Sequence, residues 1–565
     1  MVGSTFFAGV ALLTLVAPFE LTAPLLSLPR QSVSNLEAAV LCAFVFGGIA
    51  LALSHRLPDW HTPLTLPWIV LIAAMVVASA VSPVSRTNAF HMTGRVAVAF
   101  GVFLLASNGV TTPGRLRSAL TLAVAVGVVV SVLTILEYRG VRVVLSALRA
   151  FRPAVSTVGA QVRAGGPLQY PTIASMYLEV VFACGLGVML AELDSARHAR
   201  VALLFVALVL IADAITLTFT RAGLITMTTS LLVVGIIDRV RRHANLRSAL
   251  LAGLAAAVAL LFVGSRSAES LWLRFTTEGQ ESWYRARIVA PPRLELATGS
   301  LSAVPITMTN TGRLPWDSQA MPPLLPSYHW LGADGDRFVT FEGERTPFRE
   351  PVLPDSTVSI AVNVLAPRQP GRYRLEWDLV QEGRLWFSTE PGASRTMSQV
   401  TVTGAPYAGT LITTPPPRPT VRPGRLVLWR AAARMFAAHP VAGVGPDNFR
   451  LAYGAYAGLS GADERTHSNN MYLEMLAGGG LLVAAAFAWL LWRSAAVAID
   501  LVRRAGPACV AIASGLSAAA LAIALHASVD SFLSFAPTYV LFSLTLGCAV
   551  ACARGMETWP DANRV

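Results

Sequence analysis

The sequence predicts an all-α polytopic membrane protein of about twelve transmembrane helices, with an extracytoplasmic β-sandwich inserted before the last three. Three observations carry this. Of 565 residues, 54% are hydrophobic and 13% charged, against roughly 25% charged in a soluble globular chain. Apolar runs of about twenty residues, the length that crosses hydrocarbon, recur along the chain. Between about 265 and 466 those runs vanish, and Pro, Gly, Thr and alternating patterns replace them.

The first nine runs, at 5–28, 34–54, 65–84, 92–109, 116–137, 172–192, 199–219, 222–238 and 247–264, make a membrane domain over 1–264. The first lacks a basic leading region and continues toward Leu28, so it is expected as a retained span and not a cleaved signal. Three more, at 469–492, 506–527 and 532–553, make a membrane domain over 467–565, and the even count puts both termini on one side. Positive residues stay cytoplasmic. An inside N-terminus gathers Arg56, Arg115, Arg117, Arg197, Arg200, Arg239, Arg241, Arg242, Arg247, Arg493, Arg503, Arg504, Arg554 and Arg564 there. Two outer segments break the rule: loop 138–171, with Arg139, Arg142, Arg149, Arg152 and Arg163, and the tight turn holding Arg221.

Net charge is +12, and all 44 basic residues are arginine. They are spread through short loops and form no stripe on one face, which argues against nucleic-acid binding. Cys42, Cys184, Cys509, Cys548 and Cys552 all lie in apolar segments. The insert therefore has no disulfide or thiolate metal site and needs an ordinary core.

After a connector at 265–284, period-two alternation marks strands at Arg293–Leu296, Val304–Met308, Val358–Val364 and Tyr373–Leu379. Turn signals separate them at Asn310-Thr311-Gly312, Pro354-Asp355-Ser356 and Gln369-Pro370-Gly371. Such spacing predicts a β-sandwich over 285–403. The Asn-Thr-Gly turn before Trp316 and the later Pro-Gly-x-Tyr-x-Leu-x-Trp strand resemble an immunoglobulin-like module. Asp334-Gly335-Asp336, between strand candidates, reads as a turn and not as a metal-binding Asp-x-Asp. Residues 404–466 are expected to be a linker and helical loop. Thr414–Pro419 is a stiff proline-rich stretch, and Leu426–Ala438 fits an amphipathic helix ended near His439-Pro440.

Four stretches carry chemistry. Arg163-Ala164-Gly165-Gly166, followed by Tyr170-Pro171, sets a guanidinium beside flexible backbone where it could grip phosphate oxygens in a fork, or simply snorkel to headgroups. Thr218–Gly223 places Arg221 in a turn so tight that two apolar runs meet almost without a loop; an arginine at that depth is a functional candidate or a helix-end anchor. Pro423-Gly424-Arg425, with Trp429 four residues on, leads to Gly443-Val444-Gly445-Pro446-Asp447-Asn448, read as a re-entrant turn because no strand precedes its Gly-x-Gly. His467-Ser468, at or beside the N-cap of the tenth span, stands where the helix dipole disfavours imidazolium and leaves a base; a solvated loop histidine is the other reading. Glu474 is expected two turns below on the same face, and His526 and Asp530 end the eleventh span. No His or carboxylate cluster shows metal-ligand spacing, so no metal and no cofactor are expected.

Together these stretches resemble the O-antigen ligase and O-antigen polymerase family, membrane enzymes that use polyprenyl-diphosphate-linked glycans. The resemblance covers roughly 155–235 and 420–550. His467, Ser468 and Gly478 match its histidine, Ser or Asn, nine residues, glycine pattern. Thr-Arg-Ala-Gly at Arg221 is similar to its Ser-Arg-Gly motif, Gly424-Arg425 with Trp429 to its Gly-Arg-x-x-x-Trp segment, and Arg163 with Tyr170-Pro171 to its Arg-x-x-Gly loop. The glycine usual three residues after Gly478 is Leu481 here, and the sandwich is not a general family feature.

The resemblance implies a multi-pass enzyme of the bacterial inner membrane, with both termini cytoplasmic, that transfers a glycan from polyprenyl diphosphate to a glycan, lipid or protein acceptor without a metal. Arg163, Arg221 and Arg425 would bind the diphosphate and His467 would act as base, with Tyr170, Trp429, Glu474, His526 and Asp530 behind them. Ligase and polymerase remain alternatives. A transporter would gather polar groups near the bilayer midplane, and a noncatalytic scaffold would have no need of Arg221 or His467.

Overall fold

The structure, a computed structural model, describes residues 2–28, 31–55, 57–152, 156–158, 161–242, 245–264, 283–319, 323–333, 337–382, 385–390, 393–406, 423–459, 462–507 and 509–558. The chain falls into two compact units, Met1–Pro153 with Arg163–Leu271 and Val421–Val565, and Ala154–Val162 with Trp272–Thr420. The proline-rich stretch, the Asp334–Asp336 turn and most of the connector lie outside the described residues.

The first unit is helical: α1 (Val2–Val16), α2 (Asn35–Ser54), α3 (Thr65–Ala80), α4 (Arg86–Gly109), α5 (Pro113–Tyr138), α6 (Arg142–Leu148), α7 (Pro171–Asp194), α8 (His198–Leu217), α9 (Arg221–Arg242), α10 (Asn245–Gly264), α11 (Arg425–Ala438), α12 (Phe449–Ala457), α13 (Met471–Arg504), α14 (Val510–His526) and α15 (Ala536–Thr558). Among the described residues, α2, α4, α5, α7, α8, α9, α10, α13 and α15 are long and apolar enough to cross a membrane, which makes this a polytopic membrane protein. The shorter apolar helices α1, α3 and α14 coincide with the three other expected spans. The first is a correction: α1 stops at Val16, well before Leu28, because Pro18 follows and the residue ahead of a proline is steered away from helical backbone. Beyond it, β1 (Leu26–Leu28) pairs with β2 (Gln31–Val33).

The apolar window of α7 is wholly buried, packed by α5, α8, α9 and α14. α7 and α14 touch backbone to backbone, since a Cβ on Gly187 would lie 2.7 Å from the Ala511 carbonyl oxygen and one on Gly515 2.8 Å from Gly187 Cα. Small residues permit this approach where no hydrophobic drive exists between helices. The crossing brings Glu179 of α7 beside His526 at the end of α14.

Helix α13 is broken at Gly480, where φ is 59° and ψ −159°. The backbone groups freed there must find partners away from water, and the loop after α11 supplies them. Val444 and Gly445 donate N–H to the Ala477 and Gly478 carbonyls at 2.9 and 2.7 Å, while Leu481 and Leu482 donate to the Pro440 and Val441 carbonyls at 2.8 and 3.1 Å. Pro440 ends α11, and Gly443, at φ +64°, lies so close that a Cβ would sit 2.4 Å from the Gly478 carbonyl carbon. The loop expected as a re-entrant turn is thus threaded into a helix break that no local pattern announces.

Besides the hairpin of β3 (Ser156–Val158) with β4 (Gln161–Arg163), the described residues of the second unit form two sheets. β5 (Ala286–Val289), β7 (Leu301–Asn310) and β10 (Thr357–Leu365) run in the order β10-β7-β5. β6 (Arg293–Ala297), β13 (Thr396–Thr403), β11 (Gly371–Gln381), β8 (Leu324–Gly332) and β9 (Phe338–Thr340) form the other, with β12 (Leu385–Trp386) on β11. All pairs are antiparallel except β13 with β6. Val304, Ile306, Met308, Val362 and Val364 from the first sheet share one core with Tyr328, Trp330, Leu375, Trp377, Leu379, Val400 and Val402 from the second. The Asn310 turn is built as its residues suggest: its Oδ1 accepts from Gly312 N–H, and its Nδ2 donates to the Leu314 and Val352 carbonyls.

Candidate functional site

Two of the three candidate arginines, Arg163 and Arg425, lie near Asp530. Arg163 is fixed by the turn between α8 and α9, donating from Nε to the Thr218 carbonyl at 3.1 Å. Thr218–Thr220 makes that turn, with Phe219 at φ 53°, and Arg221 opens α9 with its side chain exposed. Arg425, first residue of α11, donates to the Val529 carbonyl at 3.4 Å. Burial brings Arg163 down to about 10, with the Arg425 charge adding to this and Asp530 opposing it. Burial likewise lowers Arg425, against the pull of Asp530 and with the push of Arg221. Arg163 and Arg425 thus share a region with one facing carboxylate, Asp530, and Arg221 lies near Arg425, a surplus of positive charge suited to a polyanion.

The backbone beside Arg163 is not free, contrary to the sequence expectation. Glu137, at the end of α5, accepts from Gly165 N–H at 3.0 Å and Gly166 N–H at 2.8 Å, and pairs with Arg152, both side chains being buried. The two glycine amides already hold an internal anion. Those amides therefore offer no further place for an anion.

His467 lies just before α13, whose N-cap is Asn470 and not His467. The expectation that the helix dipole governs the ring fails for that reason. Its Nδ1 is 3.4 Å from Glu474 Oε1 and 3.8 Å from Asp447 Oδ1, and the side chain is 13% exposed. Burial works against the imidazolium, but the hydrogen bond and charge of Glu474, then Asp447, outweigh it and raise the ring above its usual 6.5. Glu474 is also not two turns away along a shared face: α13 begins at Met471, and the chain folds back so that Glu474 Oε2 accepts from Ser468 N–H and Oγ at 2.9 and 2.6 Å. Trp429 Nε1 donates to the Ser468 carbonyl at 3.1 Å, tying α11 to the histidine loop.

Asp447 is absent from the sequence expectations as a site residue. It sits at φ 61°, a left-handed backbone costly for a residue with a Cβ. Its Oδ2 accepts from Arg450 Nε at 2.9 Å and Asn88 Nδ2 at 3.2 Å. Asn448 anchors the same loop by donating to Ser82 Oγ and the Ser85 carbonyl, both at 2.9 Å.

Segment 526–535 joins the arginine and histidine groups. Ser531 Oγ donates to Glu474 Oε2 at 3.3 Å. The Phe535 ring meets His467 at 5.8 Å and Tyr170 at 5.7 Å between centroids, both edge-on. Nothing described bonds an arginine directly to His467; this segment is the bridge. His526 Nδ1 lies 3.0 Å from Glu179 Oε2, and its Nε2 3.9 Å from Asp530 Oδ2.

The ligand atoms of Asp447, His467 and Glu474 lie within 4.8 Å of one another, an arrangement that could hold a divalent cation and that spacing along the sequence conceals. Arg450 already neutralises Asp447, and Ser468 already occupies Glu474 Oε2. The donors left are Asp447 Oδ1, Glu474 Oε1 and one imidazole nitrogen, a set equally suited to bracing a histidine.

A family model described as O-Antigen ligase matches residues 416–488, a segment that contains Arg425, Trp429, Asp447, His467 and Glu474. The match supports an O-antigen ligase-like membrane enzyme. No curated protein matches the chain. Among solved structures, Pseudomonas fluorescens alkylpurine DNA glycosylase AlkC bound to DNA containing an abasic site analog aligns at 11% identity over 60% of this chain and 97% of its own, with a TM-score of 0.13. That likeness carries no argument.

Proposed function

We propose that this chain is an extracytoplasmic glycosyltransferase, O-antigen ligase-like, that moves a glycan from polyprenyl diphosphate to an acceptor hydroxyl. The carrying observation is that Arg163 and Arg425 lie near Asp530, with Arg221 near Arg425, and that segment 526–535 joins them to a histidine braced by two carboxylates. In this reading all twelve apolar helices span the bilayer, the site faces the outer surface, and the two-sheet unit is an immunoglobulin-like insert that tunes acceptor placement.

The acceptor oxygen bonds to the anomeric carbon as the bond from that carbon to the diphosphate oxygen breaks. His467 takes the acceptor proton, and the departing electron pair stays on the lipid diphosphate. The guanidinium groups stabilise that developing charge in a partly dehydrated site.

Purified protein in nanodiscs, incubated with bacterial lipid extracts and an acceptor glycolipid, should consume a lipid-linked glycan and release polyprenyl diphosphate, both read by mass spectrometry. Turnover should persist in chelator, because arginines neutralise the leaving group. Loss of turnover in chelator, restored by magnesium, would instead make Asp447, His467 and Glu474 metal ligands.

A further inference from the structure

Behind the arginines lies a buried pair that the mechanism above does not use. His526 is fully buried, its Nδ1 between the Glu179 oxygens at 3.0 and 3.1 Å. Glu179 also accepts from Ser175 Oγ at 2.5 Å, so it acts as an acceptor and Nδ1 carries a proton toward it. On the other side of the ring, Nε2 faces Asp530 Oδ2 at 3.9 Å. Among the described residues neither of these two buried atoms has a hydrogen-bond partner, an expensive state for polar groups at this depth. The distance is too long for a hydrogen bond, yet no other atom competes for either. The charged groups around His526 are Glu179 from α7, Asp530 from the following loop and Arg425 from α11, with Arg221 heading α9 beside Arg425.

With no ligand, Asp530 is the counter-charge of Arg163 and Arg425. A diphosphate arriving at those arginines would stand beside an anionic Asp530, and two like charges sharing a confined site cannot both stay ionised cheaply. We propose that Glu179, His526 and Asp530 form a counter-ion exchange relay, in which His526 passes its Nε2 proton to Asp530 Oδ2 as a lipid diphosphate replaces Asp530 on the arginines. The N–H bond at Nε2 breaks and an O–H bond at Oδ2 forms. His526 becomes neutral and keeps its Nδ1–H on Glu179, Asp530 becomes a neutral acid, and no proton is exchanged with solvent. His526 touches neither donor nor acceptor; it is a positioning residue. The inference rests on the arginines binding the diphosphate.

The test is binding of geranylgeranyl diphosphate to the full-length protein in nanodiscs, measured by calorimetry, with transfer kinetics alongside. Failure of the wild-type protein to bind this probe would overturn the diphosphate reading itself. If the wild type binds, His526→Gln, which still donates to Glu179 but has no proton to give, should weaken binding about tenfold or more, as when a buried charge loses its partner. Its KM for the lipid donor should rise more than kcat falls. Asp530→Asn alone, already neutral, should bind the probe at least as tightly as the wild type. In His526→Gln with Asp530→Asn, affinity should return to within a few-fold of the wild type. Unchanged binding in the first variant, weaker binding in the second, or no recovery in the double variant would each overturn the relay.

Discussion

At the scale of single residues, His467 carries the sharpest expectation. His467→Ala should leave insertion intact and reduce transfer by about 10² to 10⁴, the usual contribution of a general base, with the lipid-linked donor accumulating on thin-layer or mass-spectrometric analysis. The two carboxylates add a pH signature. A base must be deprotonated to act, so activity should fall as pH drops through the ring's raised value, above 6.5. Glu474→Gln removes the largest contribution favouring imidazolium and leaves burial opposed only by Asp447, so the acidic limb of the rate profile should move to lower pH. A limb that stays put would mean another group sets it. Arg425→Lys retains charge but loses the planar fork and should raise the KM for the lipid donor. The motif-bearing residues Arg163, Arg221, Arg425 and His467 were legible because each stands in a short recognisable stretch. Glu137, Asp447, Glu179 and Phe535 were not: their partners lie far along the chain, and each alone looks like an ordinary loop or apolar-helix residue.

At the scale of elements, the break in α13 is the least forgiving feature. Gly480 has φ +59°, and a Cβ there would lie 2.4 Å from the Val441 backbone. Gly480→Ala should therefore lower the melting temperature and turnover together, by well over the 1–2 kcal/mol of left-handed backbone strain alone. Gly458→Ala, at φ +73° with nothing within 4 Å, should cost about the strain alone. Equal thermal shifts in the two variants would show that the stitched loop contributes nothing beyond local strain. In the second unit, β10, whose burial alternates, was legible. β8 escaped because it is buried on both faces, with Trp330 in the shared core and His329 stacked on Phe341 and tilted against Trp386 on the other side. A strand without a wet face has no period-two signal.

At the scale of the whole molecule, the nine described helices long and apolar enough to cross a membrane coincide with expected apolar runs, which is why they were the most legible part of the fold. Sidedness rests on arginine bias, and its check is direct. A cysteine at Ser356 should react with an impermeant reagent in outer-membrane-permeabilised cells, while one at Asn245 should not; the reverse pattern would put the arginines on the wrong face for a lipid-linked glycan donor. Residues 283–406, expressed alone, should give a β-rich circular dichroism spectrum and melt cooperatively, because their two sheets share one core. A fragment without a melting transition would show that the core needs the helical unit. The stitching of loop 439–448 into α13 also sets how the molecule breathes. Val444, Gly445, Leu481 and Leu482 donate across one seam, so their amide protons can reach deuterium only when loop and helix part together. The four should exchange as a single cooperative unit, at one rate, as hydrogens do when a segment opens whole instead of fraying residue by residue.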